Sequence, residues 1–113
     1  MDLLDWMKEF PAAVTVCDTA GIILDMNDRA ALAFQADGGR QLIGTSMLDC
    51  HPEAARTKAR TLLTTRQTNT YTIEKNGMKK LIYQSPWYKD GEYAGFVELS
   101  IDIPFELPHL VRS

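Results

Sequence analysis

Leu3, Trp6, Met7 and Phe10 recur at helical spacing, with Asp2, Asp5, Lys8 and Glu9 between them, and this predicts a short amphipathic helix over residues 1–10. Pro11 stops it, and the valine-rich run from Ala12 to Cys17 reads as a strand. Asp18-Thr19-Ala20-Gly21 is turn chemistry, and Ile22 to Asn27 resumes as a second strand, so the two form a hairpin. Asn27 or Asp28 then caps a helix from Arg29 to Gln35, which Asp37-Gly38-Gly39 ends. Gln41-Leu42-Ile43-Gly44 makes one short turn, and Ser46-Met47-Leu48-Asp49 has the form of a capped helical start. The longest helix is expected from Pro52 to Gln67, with Ala55, Ala59, Leu62 and Leu63 on one face. Thereafter the pattern is strand and turn: Thr70 to Lys75, a turn at Asn76-Gly77, Lys79 to Tyr88, a turn at Lys89-Asp90-Gly91, and Tyr93 to Ile103. These elements close most simply as an α+β fold, a five-stranded antiparallel sheet with short helices and one longer helix on one face. The tail, residues 104–113, carries Pro104 and Pro108 and is expected to be extended and less ordered.

Composition narrows the function. With 113 residues, 45% of them hydrophobic, the chain suits one soluble domain whose core needs no disulfide or structural metal. A net charge of −3 and scattered basic residues leave no surplus positive potential for a phosphate backbone, so no nucleic-acid partner is expected. No apolar run approaches the roughly 20 residues of a bilayer span. The acidic N-terminus also lacks the lysines of a secretory signal. The expected location is the cytoplasm, without membrane contact, and there the separated Cys17 and Cys50 would stay reduced.

The element order, the Phe10-Pro11-Ala12-Ala13-Val14 entry, Asp18-x-x-Gly21-Ile22 in the first hairpin, Met26-Asn27-x-x-Ala30, Leu42-Ile43-Gly44, Lys89-Asp90-Gly91, and Gly95 followed by Ile101-Asp102-Ile103 together resemble a PAS domain. The likeness spans residues 10–103 and makes residues 11–103 the domain proper, with residues 1–10 as a cap helix. Leu48-Asp49-Cys50-His51-Pro52 and the stretch from Gly91 to Ile103 further resemble a bacterial PAS subgroup that often accompanies a hemerythrin-like domain. The resemblance implies a sensor module that holds a small molecule between the inner face of the sheet and the short helices. It also implies that the N-terminal helix commonly packs across a homodimer.

The same resemblance weighs against two coloured cofactors. Flavin photosensors of the LOV type carry a reactive cysteine where this chain has Met47, which cannot form the thiol adduct. Cys50 lies near the attachment region of photoactive yellow protein, but Met26 stands at what resembles that protein's phenol-binding tyrosine position. His51-Pro52-Glu53 resembles the surroundings of the axial histidine in some haem sensors, and imidazole is a good iron ligand. In those sensors, however, a longer insertion places the ligand well inside the long helix. Haem is therefore the minor alternative, and His51 is read first as a helix-capping or backbone-bonding side chain.

Aligning the last strand on the PAS pattern turns Phe96, Glu98 and Ser100 inward and Val97, Leu99 and Ile101 outward. The same parity turns Leu24 and Met26 inward from the second strand and Ile82 and Gln84 from the fourth, and leaves Tyr71 and Ile73 unassigned. Candidate ligand contacts are thus Met26, Met47, Ile82, Gln84, Phe96, Glu98, Ser100 and His51. An inward Glu98 needs a cationic or hydrogen-bonding partner or a raised pKa, met either by a ligand amine or amide or by a Lys or Arg at the sheet edge. Outward-facing Leu81, Tyr83, Val97, Leu99 and Ile101 would leave an apolar surface in water. The cap residues Leu3, Trp6, Met7 and Phe10 are the expected cover, alone or across a dimer together with Val97 and Leu99.

No nucleophile elbow, zincin motif or phosphate loop is visible. Adjacent Cys50 and His51 are poorly placed to act as thiol and base, so a non-catalytic module is expected. The alternative within the same fold is a ligand-free dimerisation or docking module. The chain signals by association or is the sensor piece of a longer product, and its downstream partner is not legible.

Overall fold

The computed structural model describes residues 5–50 and 52–113, with Cys50 described by its backbone alone. A short helix α1 (Asp5–Lys8) leads into strands β1 (Ala13–Cys17) and β2 (Ile23–Met26) and helix α2 (Asp28–Ala33). Single-turn helices at Gln35–Asp37, Gly39–Leu42 and Met47–Cys50 precede the longest helix, α3 (Glu53–Thr65), and strands β3 (Asn69–Lys75), β4 (Met78–Lys89) and β5 (Glu92–Ile103) complete the chain. The strands form one antiparallel sheet in the order β2-β1-β5-β4-β3, so the first and last strands are neighbours at its centre. Among the described residues no helix is long and apolar enough to cross a membrane.

Turn chemistry sets the registers. Asn76-Gly77 and Asp90-Gly91 all take positive φ, which matches the twist of the flanking strands and makes tight β3-β4 and β4-β5 hairpins. Asp18 folds the first hairpin by accepting hydrogen bonds at Oδ1 from the amides of Ala20 and Ile22, both at 2.9 Å. At the centre, β5 passes so close to β1 that a Cβ on Gly95 would lie 1.9 Å from the Cys17 carbonyl oxygen. Trp87, opposite Gly95 on β4, reaches over that gap and donates its indole N–H to the same carbonyl at 3.0 Å.

Asn27 ties the front of the fold together. As the N-cap of α2 its Oδ1 accepts from the Ala30 amide at 3.0 Å, and it also accepts from the Val14 amide at 2.9 Å. Its Nδ2 donates to the carbonyls of Ala12 at 2.7 Å and Met7 at 3.0 Å. One buried side chain thereby links the end of α1, β1 and the start of α2. Asp28 beside it pairs with Lys8 at 3.1 Å and with Arg40, and the Lys8 hydrogen bond holds its carboxyl below the usual 3.8. Arg40 also donates to the Met26 carbonyl at 2.8 Å.

Helix α3 starts after Pro52 and ends at Thr65, two residues short of the expected end, with Arg66 as its C-cap. Arg66 takes a left-handed conformation (φ 58°), normally a glycine's place. Here its guanidinium lies 4.5 Å over the Tyr93 ring, and the Tyr93 hydroxyl donates to the Leu63 carbonyl at 2.9 Å. Two apolar clusters fill the space under the helices. One joins Cys17, Leu62, Leu63 and Phe96, the other joins Ile23, Met26 and Ala30, and Met47 packs against both.

One expectation needs correction. Leu24 does not face inward: β1 and β2 shift register between Val16 and Cys17, so Leu24 is the extra residue of a bulge, Ile23 takes the place opposite Cys17, and Leu24 is 46% exposed. Within this single chain none of the described residues of α1, Asp5–Lys8, is buried; Trp6 and Phe10 pack edge-to-face on each other at 5.6 Å and remain 59% and 43% exposed, while Met7 is half-buried. Leu3 and the first part of the expected helix lie outside the described residues, as does His51.

Candidate functional site

The inner face of the sheet is a series of rungs, each made of residues opposite one another on neighbouring strands. Cys17 and Phe96 make an apolar rung against Leu62 and Leu63 of α3. The next is polar, with Thr15, Glu98, Gln84 and Asn69 in line across β1, β5, β4 and β3. Ala13, Ser100, Ile82 and Tyr71 follow, and then Asp102, Lys80 and Ile73. Because α3 turns only Ala55, Ala59 and Lys58 toward the lower rungs, it leaves them unfilled. The result is a cavity of about 510 Å³, bounded by the sheet, α2, α3, Leu42 and Met47, within the range of small-molecule sites.

Across β3, β4 and β5 the polar rung is joined by hydrogen bonds. Asn69 Nδ2 donates to Gln84 Oε1 at 2.9 Å, and Gln84 Nε2 donates to Glu98 Oε2 at 2.8 Å. Glu98 is half-buried, and its partner is a neutral amide rather than a lysine or arginine. Burial, then the charge of Glu98, pushes the Tyr71 phenol up. Desolvation likewise raises the Cys17 thiol, so Cys17 behaves as an apolar wall residue. Toward the opening, Lys80 bonds Asp102 at 2.6 Å and holds that carboxyl low, with Arg29 of α2 3.9 Å away. Among the described residues no group of three or more His, Cys, Asp or Glu is gathered as metal ligands would be.

Six of the residues expected from the sequence, Met47, Ile82, Gln84, Phe96, Glu98 and Ser100, line this cavity. Met26 faces the helices but is packed in the cluster with Ile23 and Ala30, behind the wall rather than on it. Val97 also borders the cavity, although strand alternation sends its side chain to the outer face. Asn69, Tyr71 and Ile73, which strand alternation alone does not place, all face inward. The signal that finds them is the Asn76-Gly77 turn: its two residues put Lys75 opposite Met78, and counting back puts Tyr71 opposite Ile82.

The outer face carries Leu81, Leu99 and Ile101, each half-buried, and Tyr83, which is 38% exposed. The helices that close the cavity lie on the other side.

The architecture has close counterparts among solved structures. The Aer2 receptor of Vibrio cholerae, described as a dual PAS-heme oxygen sensor, superposes with a TM-score of 0.63 at 20% identity, over 82% of this chain and 95% of that one. The PAS domain of BvgS from Bordetella pertussis gives 0.61 at 23% identity, over 92% and 88%. The PAS domain of an HTR-like protein from Haloarcula marismortui gives 0.59 at 20%, over 89% and 88%. The fold is that of a PAS domain. No family profile matches the sequence, and no curated protein matches it. At these identities the likeness fixes the PAS architecture, and the cavity's chemistry has to be read from this chain's own residues.

Proposed function

We propose that this PAS fold is a non-catalytic sensor module that takes a small organic ligand into the cavity between sheet and helices. The reading rests on the 510 Å³ cavity and the half-buried carboxylate of Glu98 set into its wall. A closed, purely structural core of this size would have filled the space beneath α3 with larger side chains than Ala55 and Ala59. Met47, Ile82 and Phe96 supply the apolar walls, and Gln84, Glu98 and Ser100 the polar contacts. Binding becomes a signal when it changes what the domain presents outside, since a ligand shifts only those states for which its affinity differs. The half-covered outer face, with Val97 and Leu99, and the exposed Trp6 and Phe10 are the surfaces for that exchange, and a second copy of the chain is the partner proposed for them.

Comparing native and denaturing mass spectra of protein freshly purified from a rich culture tests the reading. A small mass that leaves on unfolding, and that Glu98→Gln no longer retains, is the expected result. An apo dimer whose cavity resonances respond to no small molecule would instead favour the second reading, a docking module, which the exposed Tyr83 and Trp6 support.

A further inference from the structure

The hydrogen-bond polarity of the rung across β3, β4 and β5 constrains what can bind. An ionised carboxylate only accepts, so at 2.8 Å from Glu98 it must be the amide nitrogen of Gln84 that faces β5. Gln84 Oε1 then faces β3 and is filled by Asn69 Nδ2 at 2.9 Å. Both ends of the chain are consequently acceptors: Asn69 Oδ1 at the sheet edge and Glu98 Oε1 in the wall, neither with a donor among the described residues. The leftover amide hydrogens of Gln84 and Asn69 are neutral donors, and the one formal charge on the rung is negative.

Among the described residues no cation neutralises that charge. Lys80 and Arg29 are engaged with Asp102, four residues along β5 from Glu98 and so about 13 Å away. Lys58 and Lys75, also in the lining, stand at the exposed opening. The walls next to Glu98 are apolar and partly aromatic: Phe96 on one side, Ile82 and Tyr71 on the other.

Granting the proposed function, that the cavity holds a ligand at all, we infer that the ligand is an organic N–H donor: an amine, amidine or amide on a flat apolar body, with its N–H on Glu98 Oε1. A hydrogen bond to an ionised acceptor is about twice as strong as a neutral one, and a half-buried site strengthens it further. A ligand carboxylate at the same place would meet a like charge with no cation to offset it.

Benzamidine, benzamide and benzoate share one ring and differ only in the group offered to Glu98. Titrating each into the protein and following backbone amide NMR shifts around Gln84 and Glu98 gives the three affinities even when they are weak. Benzamidine is expected to bind about tenfold or more tighter than benzoate, with benzamide between them. In Glu98→Gln, which keeps the shape of the side chain, that order should collapse. In Thr72→Ala, opposite Leu81 on the outer face of β3, it should persist. Benzoate binding as well as benzamidine, or a preference unchanged in Glu98→Gln, overturns the assignment while leaving the cavity reading intact. If none of the three shifts these resonances, the cavity reading itself fails and this inference falls with it.

Discussion

The two ends of the sheet are built on opposite terms. At the β1-β2 end, Val14, Met26, Ala30 and Asn27 are buried, and Asn27 satisfies donors and acceptors from α1, β1 and α2 at once. At the other end β3 has no buried residue, and its inward side chains look into the cavity rather than onto a packed helix. Among the described residues no buried side-chain polar atom lacks a partner, so the loose end is not a defect of the first. The contrast predicts a division of roles: the packed end is expected to open only with global unfolding, and the open end to respond locally.

Substitutions should divide along this line. Gly95→Ala, at the seam between the two ends, is expected to be the most damaging, because its Cβ would collide with the Cys17 main chain. A loss of about 4 kcal/mol or more in urea unfolding, or failure to fold, is the expected outcome. Asn27→Ala strands the amides of Val14 and Ala30 and the Ala12 carbonyl. It should cost about 3 kcal/mol and accelerate hydrogen exchange through β1 and α2 before β3 is affected. Asn69→Ala, on the open side, removes one hydrogen bond beside a cavity and should cost about 1 kcal/mol or less. A larger loss there than at Asn27 would reverse the comparison.

The smallest expected effect is on acid stability. Asp28 and Asp102 have folded pKa values below 3.8, each chiefly because of a lysine hydrogen bond. In the window below 3.8 the unfolded chain therefore binds more protons than the folded one. Their contribution is fully present above that pH and is lost as pH falls through the folded values. Both carboxylates are exposed to solvent, so Lys8→Met with Lys80→Met should only slightly flatten the acid limb of a denaturation curve measured between pH 5 and 2.

Local chemistry made much of the fold legible. Asn27 as a cap, the Asn76-Gly77 and Asp90-Gly91 turns, and the α3 face of Ala55, Ala59, Leu62 and Leu63 all act through neighbours a few residues away. What escaped depends on an event that periodicity does not carry. A single inserted residue in β2 reversed the parity of Leu24 while leaving Met26 on its expected face. Helix α3 ends without a glycine because Tyr93, 27 positions beyond Arg66, holds the arginine over its ring. The candidate site was half legible, since the resemblance of the last strand to the PAS pattern, carried across by alternation, implied that Glu98 and Gln84 face inward. It could not reveal that they bond to each other, which depends on the β4-β5 register.

Gly95 also limits how this sheet can move. A slip of β5 by one residue would bring Ala94 or Phe96 against the Cys17 carbonyl, where not even a methyl group fits, so β1 and β5 are pinned like two slats at a rivet. Sliding between the central strands is closed to this protein. If the proposed cavity signals through the sheet, that signal travels as a change in twist about this point, with Trp87, clasped over it, positioned to register the torsion in its fluorescence.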